Sequence, residues 1–503
     1  MKKFYFVLLL FILLDIFGKV LFGYQYINLY KIYTDTFNLK LLIDFIYFSL
    51  VIYFLFFSRL RVVIILLYTL TLIDFGHFYL FKTHIMPFEW HLALFNIDDI
   101  FDALVNNIFL LFGLIFLLAV LIFILFSHKK TKKYFLFIGV FLLLIPFVSK
   151  TKVTTFKPSN KHLTYNNSIL SFDRFIYELM THKQRKQNYK DYIYQKNKES
   201  KPLVMLVMGE SLNYKRMHLF GWDTNNTPNL DSLKSNPNFQ YKKSISYATE
   251  TTTSISSFFY NKREPYNINV ITNDDIITLA HKNGYKVYWL SMQIDRGKLL
   301  PKFVNESDIH IIRKDFKRKF DDELLKKLQT LKLAKKSFVI LHLRANHYAY
   351  EDYTPKEFYK FKFNKKGDYH NYMVNSYMNS ILYVDKLIFD CIGFLKKTNK
   401  NFSFYFTSDH GEMLGFPEEK GRYLHLILDK HVSYVPFLYY SDKNCRDLNK
   451  SFYPHYEISK MITEDLGYTL INPNEEKNIY YINAPQFDGS SGFIEYNISK
   501  WKD

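Results

Sequence analysis

Acids and histidines follow three strand-like segments of this sequence. Glu210 comes directly after LVMLVMG, His347 shortly after VILHLRAN, and Asp409 and His410 directly after FYFTS. The carboxyl ends of strands in a doubly wound sheet face one crevice, so these side chains can converge on a metal ion. Carboxylate and imidazole ligands together suit zinc, or manganese in an oxygen-rich site. We therefore expect a metal site; the alternative is a set of charged turns and structural histidines.

A dense run of hydroxyl side chains, SYATETTTSISSFF at 246–259, could supply a nucleophile. A threonine oxygen is a poor nucleophile at its ordinary pKa, but coordination to a divalent cation would hold it as an alkoxide. Threonine-rich stretches are also common in β-strands and helix caps. The run alone leaves both interpretations open.

Short apolar segments alternate with helical patterns from residue 202 onward. Helical patterns occur at 273–283 and 372–397. The predicted strands are rich in β-branched or aromatic residues and lie at 203–210, 285–292, 337–343, 402–408 and 435–441. This alternation predicts an α/β sandwich of parallel strands and crossover helices, with ligands at the carboxyl ends of the strands.

The first 150 residues hold nearly all the long apolar runs. One of them, IFLLFGLIFLLAVLIFILF, carries no charge, whereas a long helix in a soluble core usually keeps a polar face. We predict an α-helical five-span membrane domain at 1–150, an amphipathic linker at 151–200 and a catalytic domain at 201–503. The predicted spans lie at about 4–22, 40–58, 62–81, 107–126 and 134–149.

Basic residues mark the loops that we predict to be cytoplasmic. Lys2 and Lys3 precede the first span, and Arg59 and Arg61 lie between the second and third. The last two spans are separated by Lys129, Lys130, Lys132 and Lys133. With five spans, the amino terminus is inside and everything after residue 150 is outside.

Composition, net charge and cysteine content limit the kinds of fold and partner that the sequence allows. The chain has 503 residues, of which 49% are hydrophobic, and this excludes wholesale disorder. Its net charge of +19 favours anionic lipid headgroups over nucleic acid outside the cytoplasm, although a lysine-rich surface without a partner explains it equally well. Cys391 and Cys445 allow one disulfide at most, and whether they pair is left open.

Five motifs resemble, in order and spacing, the phosphoethanolamine transferases of Gram-negative bacteria, which belong to the alkaline phosphatase and sulfatase superfamily. The resemblance covers nearly the whole chain, and the motifs are VMGES (207–211), GWDTNNTPNLDSL (221–233), YATETTTS (247–254), NSYMNSILYVDKLI (375–388) and TSDHGE (407–412). It implies a multi-pass protein of the bacterial inner membrane with a periplasmic α/β domain of the alkaline phosphatase/sulfatase type.

The resemblance also implies a zinc ion and its ligands. Zinc would be held by Glu210, Thr249, Asp409 and His410, with manganese as the alternative metal. Thr249 would be the nucleophile, because it is the first threonine of the TET that matches the family's T-x-T pattern. Thr251, two residues further on, is the second choice.

The resemblance implies three further positions near the phosphate, two for histidines and one for a basic residue. His347 and His425 match two family histidines and would bind the phosphoryl oxygens or a second zinc. A basic residue is expected after the strand at 285–292, and either Arg296 or Lys298 could fill that place.

The chain departs from the family's pattern in two places. The cysteines that flank the nucleophile in members that modify lipid A are replaced by Tyr247 and Ser257. The glycine and proline expected after the histidine are replaced by Tyr348 and Ala349. None of these four residues is a proposed metal ligand. The departures therefore bear on which molecule would accept the transferred group.

The implied activity is transfer of phosphoethanolamine from phosphatidylethanolamine to a lipopolysaccharide component (lipid A, Kdo or core heptose) through a phospho-threonine intermediate. The enzyme would work as a membrane-bound monomer, without nucleic acid. The alternatives are a phosphoglycerol transferase of the same superfamily acting on a cell-envelope glycan, and a non-enzymatic membrane scaffold. A sulfatase proper is less favoured, since neither cysteine lies in a C/S-x-P-x-R context.

Overall fold

The computed structural model divides into two compact units, Met1–Lys183 and Gln184–Asp503. It describes all residues except 1, 18–38, 59, 82–84, 86–89, 91–107, 128–133, 149–163, 182–189, 198, 266–273, 294–299, 366, 399, 420, 425–428, 444, 484–492 and 502–503. The three-part division at residues 150 and 200 stays a prediction.

The first unit is helical. Its helices are α1 (Lys2–Phe17), α2 (Leu39–Phe56), α3 (Arg61–Phe81), α4 (Ile108–Phe126), α5 (Phe135–Val148) and α6 (Thr164–Thr181). Helices α1 to α5 lie at the five predicted spans. Among the described residues, two segments are long and apolar enough to cross a membrane, Arg61–Phe78 and Phe109–Phe126, and Ile43–Phe56 is apolar but shorter. The count of five spans is therefore not confirmed.

Hydrogen bonds join the ends of four helices at one side of this unit. The Lys3 Nζ atom donates to the Ser127 carbonyl oxygen at 2.9 Å, which joins the start of α1 to the residue after α4. Arg61 donates through Nη1 to the Leu125 carbonyl oxygen at 3.0 Å and through Nε to the Phe56 carbonyl oxygen at 3.1 Å. The chain regions predicted to be cytoplasmic therefore begin from the same end of the helix bundle.

The second unit is built on a seven-stranded sheet in the order β3-β10-β7-β2-β6-β4-β5. The strands of this sheet are β2 (Leu203–Gly209), β3 (Phe239–Ile245), β4 (Lys286–Ser291), β5 (Ile309–Ile311), β6 (Ser337–His342), β7 (Phe402–Ser408) and β10 (Tyr434–Ser441). Two-stranded sheets pair β1 (Ile193–Lys196) with β11 (Tyr468–Ile471), β8 (Met413–Leu414) with β9 (Tyr423–Leu424), and β12 (Ile479–Asn483) with β13 (Phe493–Asn497). All five predicted strands are confirmed.

Strand direction corrects one part of the prediction. Strands β2, β4, β5, β6 and β7 are parallel, as expected. Strand β10 is antiparallel to both of its neighbours, β7 and β3, so the prediction of a parallel strand at 435–441 is wrong. The described part of the connection between β7 and β10 holds short strands and turns instead of a crossover helix, and such a link returns the chain in the opposite direction.

Helices cover both faces of the sheet. They are α7 (Pro228–Asp231), α8 (Thr251–Phe259), α9 (Ile276–Lys282), α10 (Leu300–Glu306), α11 (Asp322–Gln329), α12 (Tyr369–Lys396) and α13 (His455–Asp465). Val204, Leu206 and Met208 of β2 belong to the buried cluster that includes residues of α8, α9 and α13. Every residue of β2 is buried, as is usual for a central parallel strand covered on both sides. Cys391 and Cys445 are free thiols, which answers the question of their pairing.

Candidate active site

Two neighbouring strands deliver the acidic side chains. Strands β2 and β7 are parallel and their last residues, Gly209 and Ser408, are paired in register. Glu210 and Asp409 therefore leave the sheet side by side, and the Asp409 N–H donates to the Gly209 carbonyl oxygen at 3.1 Å. The chain then turns at Gly411, where an added Cβ would lie 2.7 Å from the Tyr434 carbonyl oxygen, so glycine is required there.

Glu210, Asp409 and His410 form a compact buried cluster. One ligand atom from each lies within 4.8 Å of the others. The His410 Nε2 atom is 3.5 Å from Glu210 Oε1 and 3.4 Å from Asp409 Oδ2. Each of the three side chains is at most 1% exposed. The structure thus brings together three of the four residues predicted to hold a metal.

Burial and neighbouring charges shift the ionisation of this cluster. Burial, followed by the charge of Asp409, raises the pKa of Glu210 to about 7. Burial acts to lower the pKa of His410, but the charges of Asp409 and Glu210 outweigh it and the pKa is raised. Glu210 and His410 therefore bind protons more tightly than they would in water. A divalent cation would also relieve the repulsion between the buried carboxylates.

Ser211 and Gln293 orient the acids. The Ser211 hydroxyl donates to Glu210 Oε1 at 2.8 Å, and its N–H donates to Asp409 Oδ1 at 3.0 Å. Ser211 adopts a φ of 52°, a left-handed conformation that is sparsely populated by non-glycine residues and is often found at functional sites. The Gln293 amide donates to Glu210 Oε2 at 2.6 Å and to the Leu343 carbonyl oxygen at 2.6 Å.

The amino-acid sequence does not mark either of these positioning residues as functional. Ser211 lies in the VMGES motif, but a serine after a glutamate carries no signal of a positioning role. Gln293 is neutral and lies two residues after β4, so its only signal was its place just beyond a strand end.

The donor set fits a divalent metal ion. Two carboxylates and one imidazole are the ligand types that zinc prefers besides thiolates. The Asp409 Oδ2 atom is fully buried and accepts no hydrogen bond from the described residues. Such an oxygen beside a second buried carboxylate is costly unless a cation or a proton compensates it.

A hydroxyl group lies next to the cluster at the start of α8. The Thr251 Oγ1 atom is 3.3 Å from His410 Nε2, and the Thr251 residue is half-buried. Glu250 caps the helix, because its carboxylate accepts from the N–H groups of Thr252, at 2.8 Å, and Thr253. The cap fixes Thr251 as the first residue of the helix.

Thr249 has a different environment. Its residue is fully buried, its N–H donates to the Asn483 carbonyl oxygen at 2.9 Å, and its hydroxyl makes no hydrogen bond with the described residues. The predicted roles of Thr249 as metal ligand and nucleophile stay predictions. Of the two threonine hydroxyls, that of Thr251 has a hydrogen-bonding contact to the cluster.

The remaining predicted residues are not part of the described cluster. His347 lies in the turn after β6, half-buried, with its ring 5.9 Å from that of Tyr353. His425, Arg296 and Lys298 lie outside the residues that the structure describes. Their phosphate-binding roles stay predictions.

Comparison with known proteins identifies the fold and the relatives. The family described as Sulfatase matches residues 202–468, more than half of the chain. In sequence, the chain is similar to phosphoethanolamine transferase EptC of Escherichia coli K12, with 26% identity over 357 residues. That alignment covers 63% of this chain and 60% of the relative, so the chain matches less than two thirds of the relative's length.

Two solved structures resemble this one. The integral membrane protein lipooligosaccharide phosphoethanolamine transferase A (EptA) from Neisseria meningitidis has a TM-score of 0.62 at 16% identity, covering 91% of this chain and 95% of that chain. The C-terminal periplasmic domain of EptC from Escherichia coli, in complex with Zn, has a TM-score of 0.53 at 22% identity, covering 62% and 97%. The predicted alkaline phosphatase/sulfatase-type fold of the second unit is confirmed.

Proposed function

Because the chain belongs to the sulfatase family, we propose that it is a phosphoethanolamine transferase that uses phosphatidylethanolamine as donor and a lipopolysaccharide component as acceptor. The observation that carries the proposal is a hydroxyl group, on Thr251, next to a buried Glu-Asp-His cluster. This arrangement suits transfer through a covalent enzyme intermediate. The name of the Escherichia coli relative supports phosphoethanolamine as the transferred group.

Zinc is the metal that we propose for the cluster, held by Glu210, Asp409 and His410. The solved zinc complex of the EptC domain supports this choice. A bound divalent cation would lower the pKa of a neighbouring hydroxyl and neutralise charge that develops on the phosphoryl oxygens.

Thr251 is the nucleophile that the geometry favours. A nucleophile must be reached by its substrate, and Thr251 is half-buried while Thr249 is fully buried. Thr251 also contacts His410, a proposed metal ligand. Thr249 remains the alternative nucleophile because its buried hydroxyl has no described hydrogen-bond partner.

The proposed reaction has two displacements at phosphorus. In the first, the Thr251 oxygen bonds to the donor phosphorus and the ester bond to diacylglycerol breaks. The threonine proton ends on the released diacylglycerol oxygen, and phosphoethanolamine stays on Thr251. In the second, a hydroxyl or phosphate oxygen of the acceptor attacks the same phosphorus, and the threonine oxygen leaves and is protonated again.

Membrane anchoring suits this chemistry, because the donor and the proposed acceptor are both lipids. We place the first unit in the bacterial inner membrane and the second in the periplasm. The gathering of Lys3 and Arg61 at one end of the helix bundle supports this orientation.

Intact-mass analysis of the full chain in detergent tests the proposal. Incubation with phosphatidylethanolamine should add about 123 Da, the mass of the phosphoethanolamine group. Thr251→Ala should abolish the adduct, and Thr252→Ala, a change in a half-buried neighbour, should keep it. An adduct that survives Thr251→Ala but disappears in Thr249→Ala would make Thr249 the nucleophile.

Donor choice separates the proposal from its rival. A phosphoglycerol transferase would form a heavier adduct from phosphatidylglycerol and none from phosphatidylethanolamine. That outcome would overturn the proposed donor while leaving the threonine chemistry in place.

A further inference from the structure

Arg344 is a buried cation whose charged group is largely unused by the fold. It follows β6 by two residues and is only 3% exposed. Its Nε and Nη1 atoms donate no hydrogen bond to the described residues. Buried N–H groups of a guanidinium that find no acceptor cost free energy, so their presence at this depth needs an explanation.

The nearby acid does not satisfy this guanidinium. Both carboxylate oxygens of Asp321 accept the backbone N–H of Arg344, at 3.0 and 3.1 Å, and one of them accepts that of Ala345 at 2.9 Å. These bonds fix the backbone of the turn. The Asp321 carboxylate therefore anchors the Arg344 main chain, while the side chain extends to other neighbours.

Positively charged groups gather around one tyrosine ring. The Arg344 Cζ atom lies 4.7 Å from the centroid of the Tyr353 ring, and the Lys319 Nζ atom lies 5.5 Å from it. The His347 ring is 5.9 Å from the same centroid. Lys319 has one acidic neighbour, Asp352, at 4.0 Å. Two cationic side chains, Arg344 and Lys319, therefore lie close to the Tyr353 ring.

This group lies beside the proposed metal cluster. Gln293 links them, because its amide donates both to Glu210 and to the carbonyl oxygen of Leu343, the residue before Arg344. The chain at Arg344 is therefore separated from Glu210 by a single hydrogen-bonding side chain.

We propose that Arg344 binds a phosphate group, and that with Lys319 it forms an anion subsite next to the Glu210-Asp409-His410 cluster. The planar guanidinium presents paired N–H donors that match two phosphate oxygens, which a lysine cannot reproduce. Tyr353 supports the guanidinium plane from one side. The inference rests on the proposed function for the identity of the ligand, which is a phosphate of the lipid donor or of the acceptor.

Binding of inorganic phosphate to the zinc-loaded full chain, measured by isothermal titration calorimetry, tests the subsite without turnover. Arg344→Gln should weaken binding about 10- to 100-fold, since it removes charge-assisted hydrogen bonds. The phosphate affinity of Arg344→Lys should lie between that of the parent and that of Arg344→Gln. Arg318→Gln, a change of an exposed arginine in the same region, should bind as the parent does. Equal phosphate affinity in the parent and in both Arg344 variants would overturn the proposal.

The thermal midpoint in phosphate-free buffer separates binding from folding. Removing an uncompensated buried charge should leave the midpoint of Arg344→Gln unchanged or raised, and phosphate should then stabilise this variant less than the parent. A lower midpoint together with full stabilisation by phosphate would assign Arg344 a structural role and reject the subsite.

Kinetics distinguish the two sources of phosphate. A raised KM for phosphatidylethanolamine in Arg344→Gln would place the donor phosphate at the subsite, and a raised KM for the lipopolysaccharide acceptor would place the acceptor phosphate there. If the parent transfers no phosphoethanolamine but phosphate binding still depends on Arg344, the proposed function fails and the subsite stands.

Discussion

At the scale of single residues, the site depends on side chains that hold the metal ligands in place. Gln293 donates to Glu210 Oε2 and ties it to the chain after β6. Gln293→Ala should therefore lower zinc affinity about 10- to 100-fold, the usual effect of losing a residue that orients a metal ligand. Competition with a chromophoric chelator measures this affinity.

A glutamine far from the cluster provides the control for this substitution. Gln240, on β3, donates to the Arg446 carbonyl oxygen. Gln240→Ala should leave zinc affinity unchanged. Unaltered zinc affinity in Gln293→Ala would mean that Ser211 and the backbone are sufficient to orient Glu210.

Sequence alone could predict the charged metal ligands but not the neutral residues that orient them. Glu210, Asp409 and His410 were recognisable because each follows a buried strand, where a charge is unusual and the sheet edge brings such residues together. Gln293 carries no charge to mark it. Thr249 and Thr251 have the same chemistry two positions apart, and only the tertiary fold buries one beside Asn483 and leaves the other near His410.

At the scale of elements, helix α8 positions the proposed nucleophile through its cap. Glu250→Ala removes the acceptor for two backbone N–H groups, and we expect a loss of about 1 kcal/mol in stability. We also expect phosphoenzyme formation to slow at least 10-fold, because Thr251 is the first residue of the helix. Thermal unfolding and time-resolved intact-mass analysis measure the two effects.

Another N-cap acid separates these effects. Asp368 caps α12 by accepting from the Asn371 N–H at 2.7 Å. Asp368→Ala should cost similar stability without slowing phosphoenzyme formation. If both variants slow the reaction equally, the cap of α8 acts only through global stability.

Strands could be predicted from sequence where the local pattern of apolar residues is enough to identify them. The five strands that the sequence predicted are apolar on both faces because helices cover both sides of the sheet. Strand direction was missed for β10, since apolar content is the same for either direction. Strand β3 was not predicted because it is an edge strand whose Tyr241, Lys242 and Lys243 are only half-buried.

At the scale of the whole molecule, the boundary that composition predicts differs from the boundary between the two compact units of the structure. The apolar helices lie in the unit Met1–Lys183, and the sulfatase match lies within the unit Gln184–Asp503. Composition placed the boundary near residue 150, whereas helix α6 (Thr164–Thr181) belongs to the first unit. An amphipathic helix has mixed composition, so composition alone does not assign it to the apolar unit.

The proposed membrane orientation of the chain can be tested by cysteine labelling. Lys386, on α12, has a side chain that is 47% exposed, and Lys2 is exposed at the start of α1. A membrane-impermeant maleimide applied to intact spheroplasts should label Lys386→Cys fully, because the proposed periplasmic unit faces the reagent. Lys2→Cys should be labelled only after permeabilisation, because basic residues at helix ends favour the cytoplasmic side.

The parent chain supplies the labelling background of its two free thiols, buried Cys391 and half-buried Cys445. Subtracting that background isolates the signal of each introduced cysteine. Labelling of Lys2→Cys in intact spheroplasts would place the helix ends joined through Lys3 and Ser127 outside the cytoplasm. That result would reverse the orientation, and a cytoplasmic catalytic unit would have no access to lipopolysaccharide on the periplasmic face, so the proposed acceptor would fail with it.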